Sequence, residues 1–157
     1  MLARQQLVKA HGSGRSRLYT LSAGHPFADA LTTLFQQEHK RWEHLLAMVR
    51  ETLARPGAGV HAAWLYGSVA RGEDTPHSDL DIALLVSSHE VADRVREDLM
   101  SLEDEQHVHF SVTALMPKDL SAIPDNDPWW ANVVRDARIL KGSAPEAAKH
   151  QVAEAIA

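Results

Sequence analysis

The sequence predicts an α/β fold, a small mixed sheet flanked by helices, with a β-hairpin and a long helix ahead of it. Three observations point there. Apolar runs of strand length occupy residues 60–66, 80–86 and 108–115. Around them, apolar residues recur at helical spacing. Glycine and proline punctuate the boundaries.

The elements follow in chain order. Residues 2–21 read as two short strands around Gly12-Ser13-Gly14. Leu7 and Val8 precede the turn, and Leu18, Tyr19 and Leu21 follow it, which is a hairpin pattern. Pro26 suits a first helical turn. From Phe27 the apolar positions are Leu31, Leu34, Phe35, Trp42, Leu45, Leu46, Val49 and Leu53, one broad helical face. That helix should run to about Ala54, where Pro56-Gly57 stops it. Its stripe reads as core or as a dimer surface, so a homo-oligomer is among the expectations. After the strands at 60–66 and 80–86, residues 89–102 read as a helix with Val91, Val95, Leu99 and Leu102 facing the sheet. Residues 108–115 form a third strand. Asp127 can cap a helix beginning at Pro128. Ile139 and Leu140 supply a short last strand, and Ala-rich sequence from Gly142 on reads as a fraying tail. The organisation expected is 1–55, hairpin and long helix; 56–142, α/β domain; 143–157, tail.

Composition narrows the chemistry. The 157 residues include no cysteine, which excludes disulfides, thiolate zinc sites and thiol catalysis and suits a reducing cytoplasm. No apolar stretch is long enough to span a bilayer, so no membrane is expected as a partner. Residues 1–55 carry eight Lys/Arg against four Asp/Glu, and residues 56–157 eight against seventeen. Such asymmetry reads either as two functional parts, the basic one facing an acidic partner, or as plain solvated surface.

The chemistry concentrates in two adjoining segments, 64–72 (WLYGSVARG) and 78–86 (SDLDIALLV). Strand side chains alternate, so Asp79 and Asp81 point one way while Leu80, Ile82, Leu84 and Val86 point to the core. Two carboxylates on one face are costly unless a cation lies between them. Mg²⁺ takes such oxygens and leaves positions open for phosphate. Gly67-Ser68 leads into a helical start whose backbone amides suit phosphate. Together the halves describe a metal–nucleoside triphosphate site, against the plain alternative of a hairpin with an Asp-rich turn.

This pattern of strand, Gly-Ser, Ala-Arg-Gly, gap, Ser-Asp-x-Asp and strand resembles the DNA polymerase beta-like nucleotidyltransferases, especially their minimal prokaryotic branch. The match lies at Gly67, Ser68, Ala70, Arg71, Gly72, Ser78, Asp79 and Asp81. The resemblance implies the nucleotidyltransferase fold and transfer of a nucleoside monophosphate, from ATP or another nucleoside triphosphate, to a hydroxyl. It implies Mg²⁺ on Asp79 and Asp81, with Gly67 and Ser68 cradling the β/γ-phosphates. Arg71 then either neutralises phosphate or pairs with a carboxylate, and Ser78 either caps the turn or orients Asp79. The acceptor it implies is a tyrosine or similar group on a partner protein, as in antitoxins that modify toxins.

One departure stands out. Active members usually carry a third carboxylate on a later strand, which binds metal and can accept the hydroxyl proton. Here that strand spans residues 107–115, and the candidate positions are His109 and Ser111. Neither is an acid. Glu103, Asp104 and Glu105 belong to the end of the preceding helix, and Asp119 to the start of a short one. Either His109 replaces the base, or the chain is a regulator or antitoxin that binds nucleotide without transferring it well. His107 and His109 share a strand face but lack further metal ligands nearby. Trp129 and Trp130 read as base-stacking groups or, more simply, as core. The first thirty-five residues are similar to the wing of a winged helix-turn-helix, with Arg15 and Arg17 near its tip. The recognition helix is missing, so DNA contact is expected to be weak at most.

Overall fold

In a computed structural model, the described residues are 5–12, 17–57, 59–73 and 78–156. Ser13, Gly14 and Arg15 of the expected hairpin tip lie outside them. The chain divides into two compact units, Met1–His44 and Leu45–Ala157.

The first unit holds strands β1 (Val8–His11) and β2 (Leu18–Leu21), an antiparallel ribbon with Val8 opposite Leu21. The Ser22 amide donates to the Leu7 carbonyl at 2.9 Å and closes its open end. Leu7 is buried, whereas every residue of β2 is exposed. Helix α1 (Ala28–Ala54) begins two residues beyond Pro26. The His25 ring accepts the Phe27 amide and the His25 carbonyl accepts the Ala28 amide, so Pro26 and Phe27 form a turn ahead of the helix rather than its first turn.

The division between the two units falls inside α1. Leu45, Val49 and Leu53, spaced by one turn, are fully buried, while Leu34 and Phe35 are more than half exposed. The expected single apolar face is therefore buried only over its last turns.

The second unit is built on strands β3 (Val60–Tyr66), β4 (Leu80–Val86), β5 (Phe110–Leu115) and β6 (Arg138–Lys141), in the order β5-β4-β3-β6. β3 lies antiparallel to β4 and β6, and β5 is parallel to β4. A parallel neighbour needs a crossover, and helix α3 (His89–Gln106) supplies it. Helix α2 (Gly67–Arg71) follows β3 directly. Helices α4 (Pro117–Ala122), α5 (Pro128–Asp136) and α6 (Pro145–Ile156) complete the unit.

Both sheet faces are covered. Leu80, Ile82, Leu84 and Val86 are buried on one, with α3 packed on β4 and β5. On the other, Ala62, Trp64, Tyr66, Ala83 and Leu85 meet Leu120 of α4, Trp130 and Val133 of α5 and Ala148 of α6. Trp130 stands edge-on to Trp64 at 6.0 Å, so it is core. The segment read as a fraying tail is a helix held by the buried Ala148. Asp127 caps α5 as expected, accepting the Trp130 amide at 2.8 Å. Among the described residues, no helix is long and apolar enough to cross a membrane.

Candidate active site

The site lies where β3 ends and β4 begins. Tyr66, last in β3, stands opposite Asp81 in the antiparallel ladder. The chain then turns at Gly67, whose φ is +79°. A Cβ on Gly67 would sit 2.5 Å from Asp81 Oδ2. The left-handed backbone favours glycine, and any Cβ there would have to push the Asp81 carboxylate aside. Ser68 follows, half-buried, and its carbonyl accepts the Glu73 amide at 2.9 Å. Gly72 ends α2 in the left-handed region, its amide reaching the Val69 carbonyl at 3.1 Å.

Asp79 is exposed just ahead of β4 and Asp81 is half-buried within it, with Leu80 between them buried. Ser78 is half-buried just ahead of them. Burial pushes the Asp81 carboxyl above its ordinary value. A hydrogen bond from Ser111 draws it partly back, and the charge of Asp79 adds to the rise. Ser111 is the β5 residue opposite Asp81. Of the two third-strand candidates, it is therefore Ser111 that meets the aspartate pair.

His109 is placed differently. Its Nδ1 lies 2.7 Å from Glu103 Oε1, and the same oxygen accepts the Phe110 amide at 2.6 Å. The His109 side chain is 69% exposed. β5 begins only at Phe110, and His107, at φ 52°, ends α3. The expected shared strand face of His107 and His109 is therefore absent: helix termination claims the first residue and Glu103 the second. Asp119 accepts the Met116 amide at 3.0 Å and serves α4. Among the described residues, no group of three or more His, Asp or Glu side chains is arranged to hold a metal ion.

Arg71 pairs with carboxylates. Its Nε reaches Glu73 Oε2 at 2.7 Å and its Nη1 reaches Asp136 Oδ2 at 2.5 Å. Asp136, the last residue of α5, also accepts from Arg135 at 2.8 and 3.1 Å, and its side chain is 2% exposed. Arg135 foremost, with Arg71, holds its carboxyl below the usual range against the opposing effect of burial. Sequence reasoning missed Asp136, because nothing local marks an acid whose partner lies 65 residues away. Nearby, Trp129 donates from Nε1 to the Tyr66 hydroxyl at 3.0 Å and meets that ring edge-on.

Residues 49–129, just over half of the chain, match the family model for polymerase beta nucleotidyltransferases. The chain belongs to that family. The matched span takes in Gly67, Ser68, Asp79, Asp81 and Ser111 and ends before Asp136. No curated protein matches the chain. Among solved structures it is similar to a toxin–antitoxin with AMP-PNP, at 18% identity over 73% of this chain and 86% of that one, with a TM-score of 0.44. It is also similar to the toxin–antitoxin MntA-HepT, at 15% identity over 73% and 86%, with a TM-score of 0.46. A third is a tri-AMPylated Shewanella oneidensis HEPN toxin in complex with MNT antitoxin, at 15% identity over 75% and 85%, with a TM-score of 0.39.

Proposed function

We propose that this chain moves a nucleoside monophosphate from Mg²⁺-bound ATP, or another nucleoside triphosphate, to a hydroxyl. The observation that carries the reading is the seating of Gly67 against Asp81 Oδ2. It sets a bare backbone turn beside a carboxylate whose proton affinity is raised and whose neighbour is a second carboxylate. Such a pair favours a cation, and the turn admits phosphate oxygens.

The donor set suits Mg²⁺, which is held by one or two carboxylates and completes its shell with water and phosphate oxygens. Asp79 and Asp81 would hold it. Once bound, it would neutralise the triphosphate and polarise the reacting phosphoryl group. Gly67 and Ser68 receive the β/γ-phosphates, and Ser78 keeps Asp79 in line. In the transfer, the acceptor oxygen bonds to the α-phosphorus as the bond to pyrophosphate breaks. The hydroxyl proton passes to a base. Because His109 is turned to Glu103 and Ser111 carries no charge, the base in this reading comes from the partner or from water.

The acceptor, following the resemblance to the minimal branch, is a tyrosine or similar group on a partner toxin protein in the cytoplasm. DNA contact by the basic N-terminal part is weak and falls steeply with salt. Ser111, standing where an acid would complete the site, favours a second reading: a regulator that binds nucleotide and transfers it slowly or not at all. ATP labelled in the α-phosphate, incubated with Mg²⁺ and candidate partners, tests both. Label on a partner supports transfer, and binding without label supports the regulator. Absence of both would sink the two readings together.

A further inference from the structure

We propose that Asp136 is a positioning residue for the Gly67–Ser68 turn, acting through Arg71; this rests on the reading of that turn as the triphosphate cradle. α2 has five residues, too few to hold a helical conformation unaided. Its placement must come from its surroundings. Val69 is buried beneath it, and Arg71, at its end, is fastened to Asp136. The fastening is rigid on the far side. Asp136 closes α5, whose Trp130 and Val133 are fixed in the core beside Trp64. Arg135 takes both carboxylate oxygens and keeps the group charged and aimed. Glu73 holds the Arg71 fork from the other side.

Asp136 stabilises the fold through Arg135 and Arg71, whose own side chains stay partly exposed. What the pair supplies is direction: fixed hydrogen bonds from α5 to the last residue of α2. A shift of α2 moves the Gly67 turn relative to the Asp81 carboxylate it lies beside. Arg71 thereby acts on the triphosphate by placement, with its guanidinium already committed to carboxylates.

The test uses the full chain with Mg²⁺ and ATP. Asp136→Asn keeps the shape and removes the charge, and Asp136→Leu removes the acid and leaves Arg71 and Arg135 without it. Both should weaken ATP binding about 10-fold or more, as outer-shell losses do. Asp136→Leu should do so with a lowered thermal midpoint, whereas Asp136→Glu should recover part of the affinity. Arg71→Ala combined with Asp136→Asn should be no weaker than the worse single variant. Without nucleotide, amide exchange at residues 67–72 should quicken in Asp136→Asn. Unchanged affinity together with unchanged exchange overturns the proposal, as does an additive double variant. A parent chain that binds no ATP overturns the cradle reading instead, and the exchange arm then decides the placement by itself.

Discussion

Asp81 and Asp136 flank the same short helix and are built in opposite ways. Asp136 is the more deeply buried, yet two arginines meet it and its carboxyl is held down. Asp81 is only half-buried, faces a second carboxylate and a hydroxyl, and its carboxyl is pushed up. A carboxylate neutralised in place is a structural joint. One left beside a like charge is poised for a cation from outside the chain. On the proposed reading, the contrast separates the α5 side of α2, which positions, from the β4 side, which binds.

The sharpest way to break this contrast is to remove the aspartate pair. Asp79→Ala with Asp81→Ala should abolish Mg²⁺-dependent ATP binding, read by calorimetry on protein shown to be folded, while Asp136→Asn only weakens it. Equal binding by the double variant would end the distinction. Next in size is repair of the missing acid. Ser111→Asp puts a third carboxylate opposite Asp81 and should raise transfer of labelled nucleotide by about 10²–10⁴-fold, the usual range for a general base. No change in rate would mean that His109 or a partner already fills the role.

A smaller effect is expected at Gly67. Gly67→Ala forces a Cβ into the left-handed region and against Asp81 Oδ2. The backbone part costs about 1–2 kcal/mol, and both the thermal midpoint and ATP affinity should fall. The smallest effect is on pH dependence, and there the two aspartates should differ in sign. Asp136 is depressed in the fold, so its stabilisation is complete above the ordinary carboxylate range and is lost as pH falls through its lowered value. Asp136→Asn should therefore flatten the acid limb of a stability–pH curve. Asp81 is raised, so its ionisation costs stability as pH climbs past the ordinary carboxylate range. Without metal, Asp81→Asn should be more stable than the parent at neutral pH. The reverse order would show that the Asp81 charge is already compensated within the chain.

Much of the second unit was readable in advance. The strands at 60–66 and 80–86 carry their own evidence as short, near-continuous apolar runs buried on both faces, and the common face of Asp79 and Asp81 is expected from a two-residue spacing. The helix after residue 89 and the Asp127 cap are equally local. What failed locally had a partner elsewhere. His109 sits on the predicted third strand, but Glu103 meets its ring at the strand's start. The apolar stripe of α1 is continuous in sequence, yet it is buried only where Leu45, Val49 and Leu53 belong to the second unit. The supposed tail becomes α6 through the buried Pro145 and Ala148, which no periodicity announces.

By itself, the sequence determined the elements up to the last strand, the family signature and the residues proposed to meet a cation and a triphosphate, because each is set by spacings of a few positions along one chain segment. The tertiary structure alone decided which third-strand side chain meets Asp81, what Arg71 holds, and where the helix of the first unit passes into the second. Those depend on strand register and on helices packing from 30 to 65 residues away, and a pairing at such separations leaves no mark on either partner's local pattern.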